Sequence, residues 1–332
     1  MGTLRVPGPI NENTTLIDIG MFGAFGITAV YLVRGEKKCL IDGGTHANAP
    51  RLIKALRELD AFPPDMIIVT HPHWDHMQGI PRLRQSALQQ NKTIEVIASR
   101  QAVPLLADAS FNACFGERPY VSIQNVKPVK EGDVIDLGGI TLRVYDIPGH
   151  CTGHIAILDE KNKNIFVGDA LGDKVADDIF LAPFMPPCWE PDAFLSSVNK
   201  LKQIDYASLC LAHFGGVDGS ESKSILEEAV ETCNTWWQFY ERHAERVSDT
   251  DYMLQAMRKE MNQGIPGLVP TSLGMRAMLR LITGAGTLLG NKTAILDKLA
   301  FGKSIEWLAV GYQTYTSANN ASPSLGGRNA LA

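Results

Sequence analysis

The segment Thr70-His71-Pro72-His73-Trp74-Asp75-His76 sets three imidazoles and one carboxylate within six residues. A packed core cannot satisfy so many hydrogen-bonding groups in so short a stretch, whereas metal ions can. In an extended segment His71 and His73 project to the same side and reach a common ion, and a turn at Asp75-His76 aims those two at a neighbouring ion. The whole chain has only eight histidines, so a cluster of three is far from an even spread. Two more residues of ligand type close apolar runs: Asp169 follows Ile165-Phe166-Val167-Gly168, and His213 follows Ser208-Leu209-Cys210-Leu211-Ala212. A side chain at a strand end is presented by the loop that follows, where functional residues concentrate.

These residues need a frame. Met66-Ile67-Ile68-Val69-Thr70 is short and β-branched and reads as the buried strand that delivers the first histidines. Upstream, the runs 15–19, 27–33 and 38–42 are β-rich and separated by glycine-rich turns, which predicts a meander, with a helix over 49–59. Downstream the pattern predicts a helix, a strand at 94–98, a helix near 101–108 and strands around 121–126, 140–146 and 154–158. Strands interspersed with helices predict a layered α/β (α+β) arrangement. Beyond about residue 219, Leu226, Ala229, Cys233, Trp237 and Tyr240 recur at helical spacing, and 250–262, 270–283 and 293–309 also read as helices. The expected organisation is a first domain over 1–218, an all-helical extension over 219–316 that covers the site, and a flexible Ser/Asn/Gly/Ala-rich tail over 317–332.

At 332 residues and 45% apolar composition the chain is long enough for a substantial core. Lysine and arginine total 31 against 36 acidic residues, and no basic run tracks a phosphate backbone, which argues against nucleic acid as a partner. No uninterrupted apolar run reaches about 18 residues, and the first residues lack a basic stretch followed by an apolar one, so no membrane partner and a cytoplasmic location are expected. The six cysteines form no CxxC pair, and disulfides are not expected. Cys151 is read as a buried thiol rather than a ligand, and His46 and His243 as lone surface histidines.

In chain order these segments resemble the signature of the metallo-β-lactamase superfamily across residues 14 to 216. Gly149-His150-Cys151-Thr152-Gly153-His154 resembles the family's GHxxGH segment, in which the first histidine is a ligand. Gly168-Asp169-Ala170-Leu171 resembles its bridging aspartate, Ala212-His213-Phe214-Gly215 its final ligand loop, and Asp42 in Ile41-Asp42-Gly43-Gly44 the aspartate that buttresses the histidine loop. The resemblance implies an αββα sandwich in which His71, His73 and His150 hold one divalent ion, Asp75, His76 and His213 the other, and Asp169 lies between them. His154 would support the ligands rather than join them. Zinc is the foremost choice, with iron or manganese as alternatives, because imidazole and carboxylate without thiolate do not separate borderline ions. Two such ions about 3.5–4 Å apart make a shared water acidic enough to supply hydroxide for attack on a carbonyl. Asp75 would orient that hydroxide and take up its remaining proton.

The substrate must be read from the surroundings. The proline-stiffened stretch 180–189, the aromatics Trp236, Trp237, Phe239 and Tyr240, and the run Leu273, Met275, Met278 and Leu279 either wall an acyl pocket or form plain core. Residues 168–172 and 272–279 resemble the quinolone-signal-pathway thioesterase branch, and the glyoxalase II branch shares all the ligand positions. The expectation is therefore a small-molecule acyl thioester, acyl-CoA or similar, with a homodimer left open. A lactonase keeps the same site, and a persulfide dioxygenase uses a single iron in the first triad. A sensing or scaffold role ranks last because all seven ligand positions are filled.

Overall fold

A computed structural model describes residues 6–21, 25–116, 120–176, 179–219, 221–262 and 303–319. The first sheet runs in chain order through β1 (Gly8–Pro9), β2 (Thr14–Asp18), β3 (Ala29–Arg34), β4 (Lys38–Ile41), β5 (Met66–Val69), β6 (Glu95–Ser99) and β7 (Val126–Val129). Its first four strands are antiparallel, and β4 through β7 are parallel. The second sheet begins with β8 (Val134–Asp136), β9 (Thr141–Asp146), β10 (Ile155–Asp159) and β11 (Asn164–Gly168). A separate ribbon follows, β12 (Asp173–Ala176) with β13 (Ile179–Leu181), before β14 (Ser208–Leu211) and β15 (Gly215–Asp218) complete that sheet in the order β15-β14-β11-β10-β9-β8.

Alternation along the strands explains the layering. In β3, Tyr31 and Val33 face one way and Val30 and Leu32 the other; in β5, Met66 and Ile68 oppose Ile67 and Val69. Both sides of these strands are apolar, so both faces of the sheet must be covered. Tyr31, Val33, Ile41 and Ile68 pack between the sheets against Val144, Ile155, Ile157 and Phe166. The outer face of the first sheet is covered by the helices Ala49–Glu58, Ile80–Leu88 and Ala102–Ala107, through Leu52, Leu56, Leu83 and Leu106. On the outer face of the second, Leu158, Val167 and Leu209 meet the helices Pro191–Gln203, Glu221–Arg242, Thr250–Asn262 and Lys303–Asn319. The result is the four-layer αββα sandwich.

Several expectations shift. The strand expected near 121–126 begins at Val126 and ends at Val129. The helix Pro191–Gln203 was not anticipated, although Pro191 in its first turn and Phe194, Val198 and Leu201 on one buried face are ordinary helix signals. The helix Lys303–Asn319 continues through the tail boundary expected at residue 316. The helix expected over 270–283, including Leu273, Met275, Met278 and Leu279, lies outside the described residues, as does the tail from 320 onward. Among the described residues no helix is long and apolar enough to cross a membrane.

Candidate metal centre

Every candidate residue lies at one edge of the sandwich. Val69 ends β5, and Thr70 is tied to Asp42 at the end of β4, with its N–H donating to Asp42 Oδ1 at 2.8 Å and its hydroxyl to Oδ2 at 2.9 Å. Pro72 disfavours helical backbone at His71, and His73 is itself extended, at φ −74° and ψ 150°. His71 and His73 therefore face the same way, as the alternation required. A single helical turn, Trp74–Met77, then turns Asp75 and His76 toward the cluster. Asp169 follows β11, His213 follows β14 by two residues, and His150 comes from the loop between β9 and β10.

The seven residues form two contiguous groups. His71 Nε2 stands 3.1 Å from His73 Nδ1, and His150 Nε2 stands 3.0 Å from the same atom. In the other group His213 Nε2 is 3.3 Å from Asp75 Oδ2, and His76 Nε2 is 3.7 Å from Asp75 Oδ1. Asp169 Oδ2 touches both, at 3.1 Å from His76 Nε2, 3.6 Å from His213 Nε2, 3.7 Å from His71 Nε2 and 3.9 Å from His150 Nε2. Each of the triads His71–His73–His150 and Asp75–His76–His213 offers ligand atoms within 4.8 Å of one another, enough to hold a metal ion.

The far side of most rings is spoken for. His150 Nδ1 donates to the Pro183 carbonyl at 2.7 Å, His213 Nδ1 to the Ile27 carbonyl at 2.8 Å, and His76 Nδ1 pairs with Asp42 Oδ2 at 2.9 Å. These bonds leave the Nε2 lone pairs aimed inward, which is how outer partners orient metal-binding imidazoles. His154 is fully buried, stacks on His71 at 4.6 Å, and accepts the Asp169 N–H on Nε2 at 3.3 Å. Gly168 makes room for this arrangement: at φ +52° a Cβ would stand 2.7 Å from Thr70 Oγ1 and 2.9 Å from His154 Nε2. Three buried atoms of the cluster, His73 Nε2, His154 Nδ1 and Asp169 Oδ1, have no hydrogen-bond partner. A buried acceptor left without a partner costs about 1–3 kcal/mol, so the cluster suits a cation.

The electrostatics divide along the same line. Burial, then the neighbouring imidazoles, holds His71 well below the ordinary histidine range; burial does the same to His73. The first triad is thus neutral and presents lone pairs. In the second group burial opposes charge but is outweighed by carboxylates: Asp169 and Asp75 hold His76 well above its usual value, and Asp169 with Asp173 raises His213 to about 10. Burial raises Asp169, but His76 and His213 outweigh it and hold that carboxylate well below its usual range. A cation entering this group replaces protons that already balance the carboxylates.

The family model described as metallo-beta-lactamase superfamily matches residues 23–213. The chain belongs to that superfamily. Among curated members, the acyl-coenzyme A thioesterase MBLAC2 of Gallus gallus is 30% identical over 163 residues, covering 43% of this chain and 57% of that protein. A hydroxyacylglutathione hydrolase of Ruegeria pomeroyi is 29% identical over 169 residues, covering 50% of this chain and 55% of that protein. The chain thus spans a little over half the length of these relatives. Among solved structures, a beta-lactamase domain protein from Burkholderia ambifaria superposes with a TM-score of 0.56 at 16% identity, over 73% of this chain and 81% of that one. A metallo-beta-lactamase from Pontibacter korlensis gives 0.52 at 17% identity, over 69% and 98%. At such identities the likeness is one of fold, and it agrees with the superfamily's sandwich.

All seven residues singled out in the sequence converge, and Asp42 and His154 sit behind them. Asp173 was not singled out: it opens β12 and offers a carboxylate oxygen within 4.8 Å of ligand atoms from Asp169 and His213. Burial pushes its carboxyl up to about 7, with Asp169 and Asp75 adding to the rise and His213 opposing it. Its only sequence signal was a polar residue four positions after Asp169. The aromatics also sort themselves. Trp236, Trp237, Phe239 and Tyr240 are core on the outer face of the second sheet, with Phe180, Phe184 and Trp189. Beside the histidines stands a smaller cluster of Met21, Trp74 and Phe115 with Trp307 against it; Phe115 lies 5.0 Å from His73, and Trp307 lies 5.5 Å from Phe115.

Two predictions arise here. Asp42 sits at φ +66° and accepts from both Thr70 and His76. Asp42→Asn turns one acceptor into a donor facing a donor, so metal affinity should fall about 10–100-fold with the fold retained, as read by chelator competition and circular dichroism; unchanged affinity would remove Asp42 from this role. The second concerns Cys151 and Cys188, both free, whose sulfurs lie 3.5 Å apart. Burial raises the Cys151 thiol well above its usual value, which argues against a thiolate ligand, whereas a hydrogen bond from Cys151 lowers Cys188 to about 6. Alkylation of Cys188 should climb through that pH rather than about 8.5, and Cys151→Ala should move the midpoint upward; peptide mapping of labelled protein across pH reads both.

Proposed function

We propose that the chain is a metal-dependent hydrolase of acyl thioesters, with two divalent ions held by His71, His73 and His150 on one side, Asp75, His76 and His213 on the other, and Asp169 shared. The observation that carries this reading is the contact of Asp169 Oδ2 with members of both groups, beside an Oδ1 that has no other partner. Ions bound there would lower the pKa of a shared water and stabilise negative charge developing on a carbonyl oxygen. Asp75 is less buried than the imidazoles around it, and its carboxylate would accept the remaining proton of that water. Among the described residues no lysine or arginine pairs with Asp75 or Asp169. A thioester suits a site without such a cation, because a thiolate leaving group has a pKa near about 8.5 and leaves without a general acid.

The names of the thioesterase and hydroxyacylglutathione hydrolase relatives support the same bond type. Trp74, Phe115 and Trp307 would form the apolar side of the acyl pocket, so the helical C-terminal part contributes to the site through Trp307. The test is elemental analysis together with thiol release from acyl-CoA, acyl-glutathione and aryl thioesters, with acyl lactones alongside. Two ions per chain and thiol release support the reading. Lactone opening without thiol release would replace it with a lactonase, and one iron with neither activity would favour a persulfide dioxygenase.

A further inference from the structure

We propose that Asp173 is a further ligand of the second ion and the residue that sets which metal that position prefers. The inference rests on the two-ion reading above and adds to it a donor and a selectivity.

One oxygen of Asp173, one of Asp169 and one nitrogen of His213 lie within 4.8 Å of one another. His213 Nδ1 is committed to the Ile27 carbonyl, so the nitrogen left to bind an ion beside Asp173 is Nε2, the atom already facing Asp75 and Asp169. Asp173 therefore stands on the same side of the cluster as the other donors of the second group. Asp173 is half-buried and accepts no side-chain hydrogen bond from the described residues.

The backbone holds it there by three independent ties. Asp173 pairs in register with Leu181 across the β12–β13 ribbon. The turn before it needs Gly172, at φ +96°, where a Cβ would come within 2.1 Å of the Leu181 carbonyl oxygen. The residue after it, Lys174, is buried, bonds Glu228 at 2.6 Å, and through its carbonyl accepts the N–H of Phe214, the neighbour of His213, at 3.1 Å.

With Asp173 included, the second position has three carboxylates and two imidazoles, whereas the first has three imidazoles and the shared Asp169. Zinc favours four donors, while carboxylate-rich sets suit ions such as manganese that take six. The two positions are thereby built for different metals, with the harder ion at the second.

The test is Asp173→Asn, which keeps the shape and removes the charge. Metal-free wild type and variant are titrated with Mn(II) and with Zn(II) against a chelating indicator, and bound ions are counted by elemental analysis. The expected result is a first ion bound equally by both proteins, which also reports a folded chain, and a second-position Mn(II) affinity about 10–100-fold weaker in the variant with a smaller loss for Zn(II). Two ions bound with an unchanged Mn(II)-to-Zn(II) ratio would overturn the assignment and leave the two-ion reading standing. A single ion per wild-type chain would overturn both.

Discussion

Asp169→Ala is expected to lose the second ion, weaken the first, and lower kcat/KM for any thioester turned over by at least about three orders of magnitude, or roughly 4 kcal/mol of transition-state stabilisation. The size follows from its place. Its Oδ2 lies within 4 Å of nitrogens from both groups, at 3.1 and 3.6 Å from His76 and His213 and at 3.7 and 3.9 Å from His71 and His150. Removing it leaves His76 and His213 without the carboxylate that contributes most to their raised pKa values. Two buried imidazoles that lose a counter-charge destabilise the metal-free fold as well, since breaking a buried pair costs about 3–5 kcal/mol. Metal counting, thiol release and thermal melting of the chelated protein read the three consequences separately. A variant that retains two ions and substantial activity would remove Asp169 from the shared position.

Gly311→Ala should lower the melting temperature, against the direction that helix propensity alone predicts. An alanine inside a helix gains up to about 1 kcal/mol over glycine. Here the added Cβ would stand 2.2 Å from the Phe184 carbonyl oxygen and 3.0 Å from its carbon, and backbone cannot swing away as a side-chain tip can. Overpacking of this kind costs about 1–3 kcal/mol, so the clash outweighs the propensity. The helix that must shift also buries Ile305, Leu308 and Tyr312 and carries Trp307 to Phe115 beside His73. The same substitution should therefore raise KM for apolar acyl groups more than it lowers kcat, and Trp307→Ala should reproduce the KM effect with less loss of stability. A higher melting temperature would show that the helix docks less closely than its contact with Phe184 indicates.

Much of the centre was legible because its signals are local. His71, His73, Asp75 and His76 are so close in sequence that a strand end, a proline and one helical turn settle their relative directions. Asp169 and His213 announced themselves as polar residues closing apolar runs, and the apolar run 66–70 already read as a buried strand. Order along the chain, through resemblance to the superfamily, supplied His150 and Asp42. Other features were beyond that reading because they arise from pairs far apart in sequence. The Pro183 carbonyl that orients His150, and the Ile27 carbonyl that orients His213, are backbone atoms with no residue-type signal. Tertiary structure alone separated the aromatic core at Trp236 and Trp237 from the wall at Phe115 and Trp307, since all four residues look equally apolar in sequence. It also brought Asp173 to His213, because a carboxylate four residues past a strand end comes near that imidazole only through a ribbon, a glycine turn and a neighbouring strand. The residue types and their spacing thus determined the chemistry available to this protein, and long-range packing decided which candidate donors come together and which aromatics stand beside them.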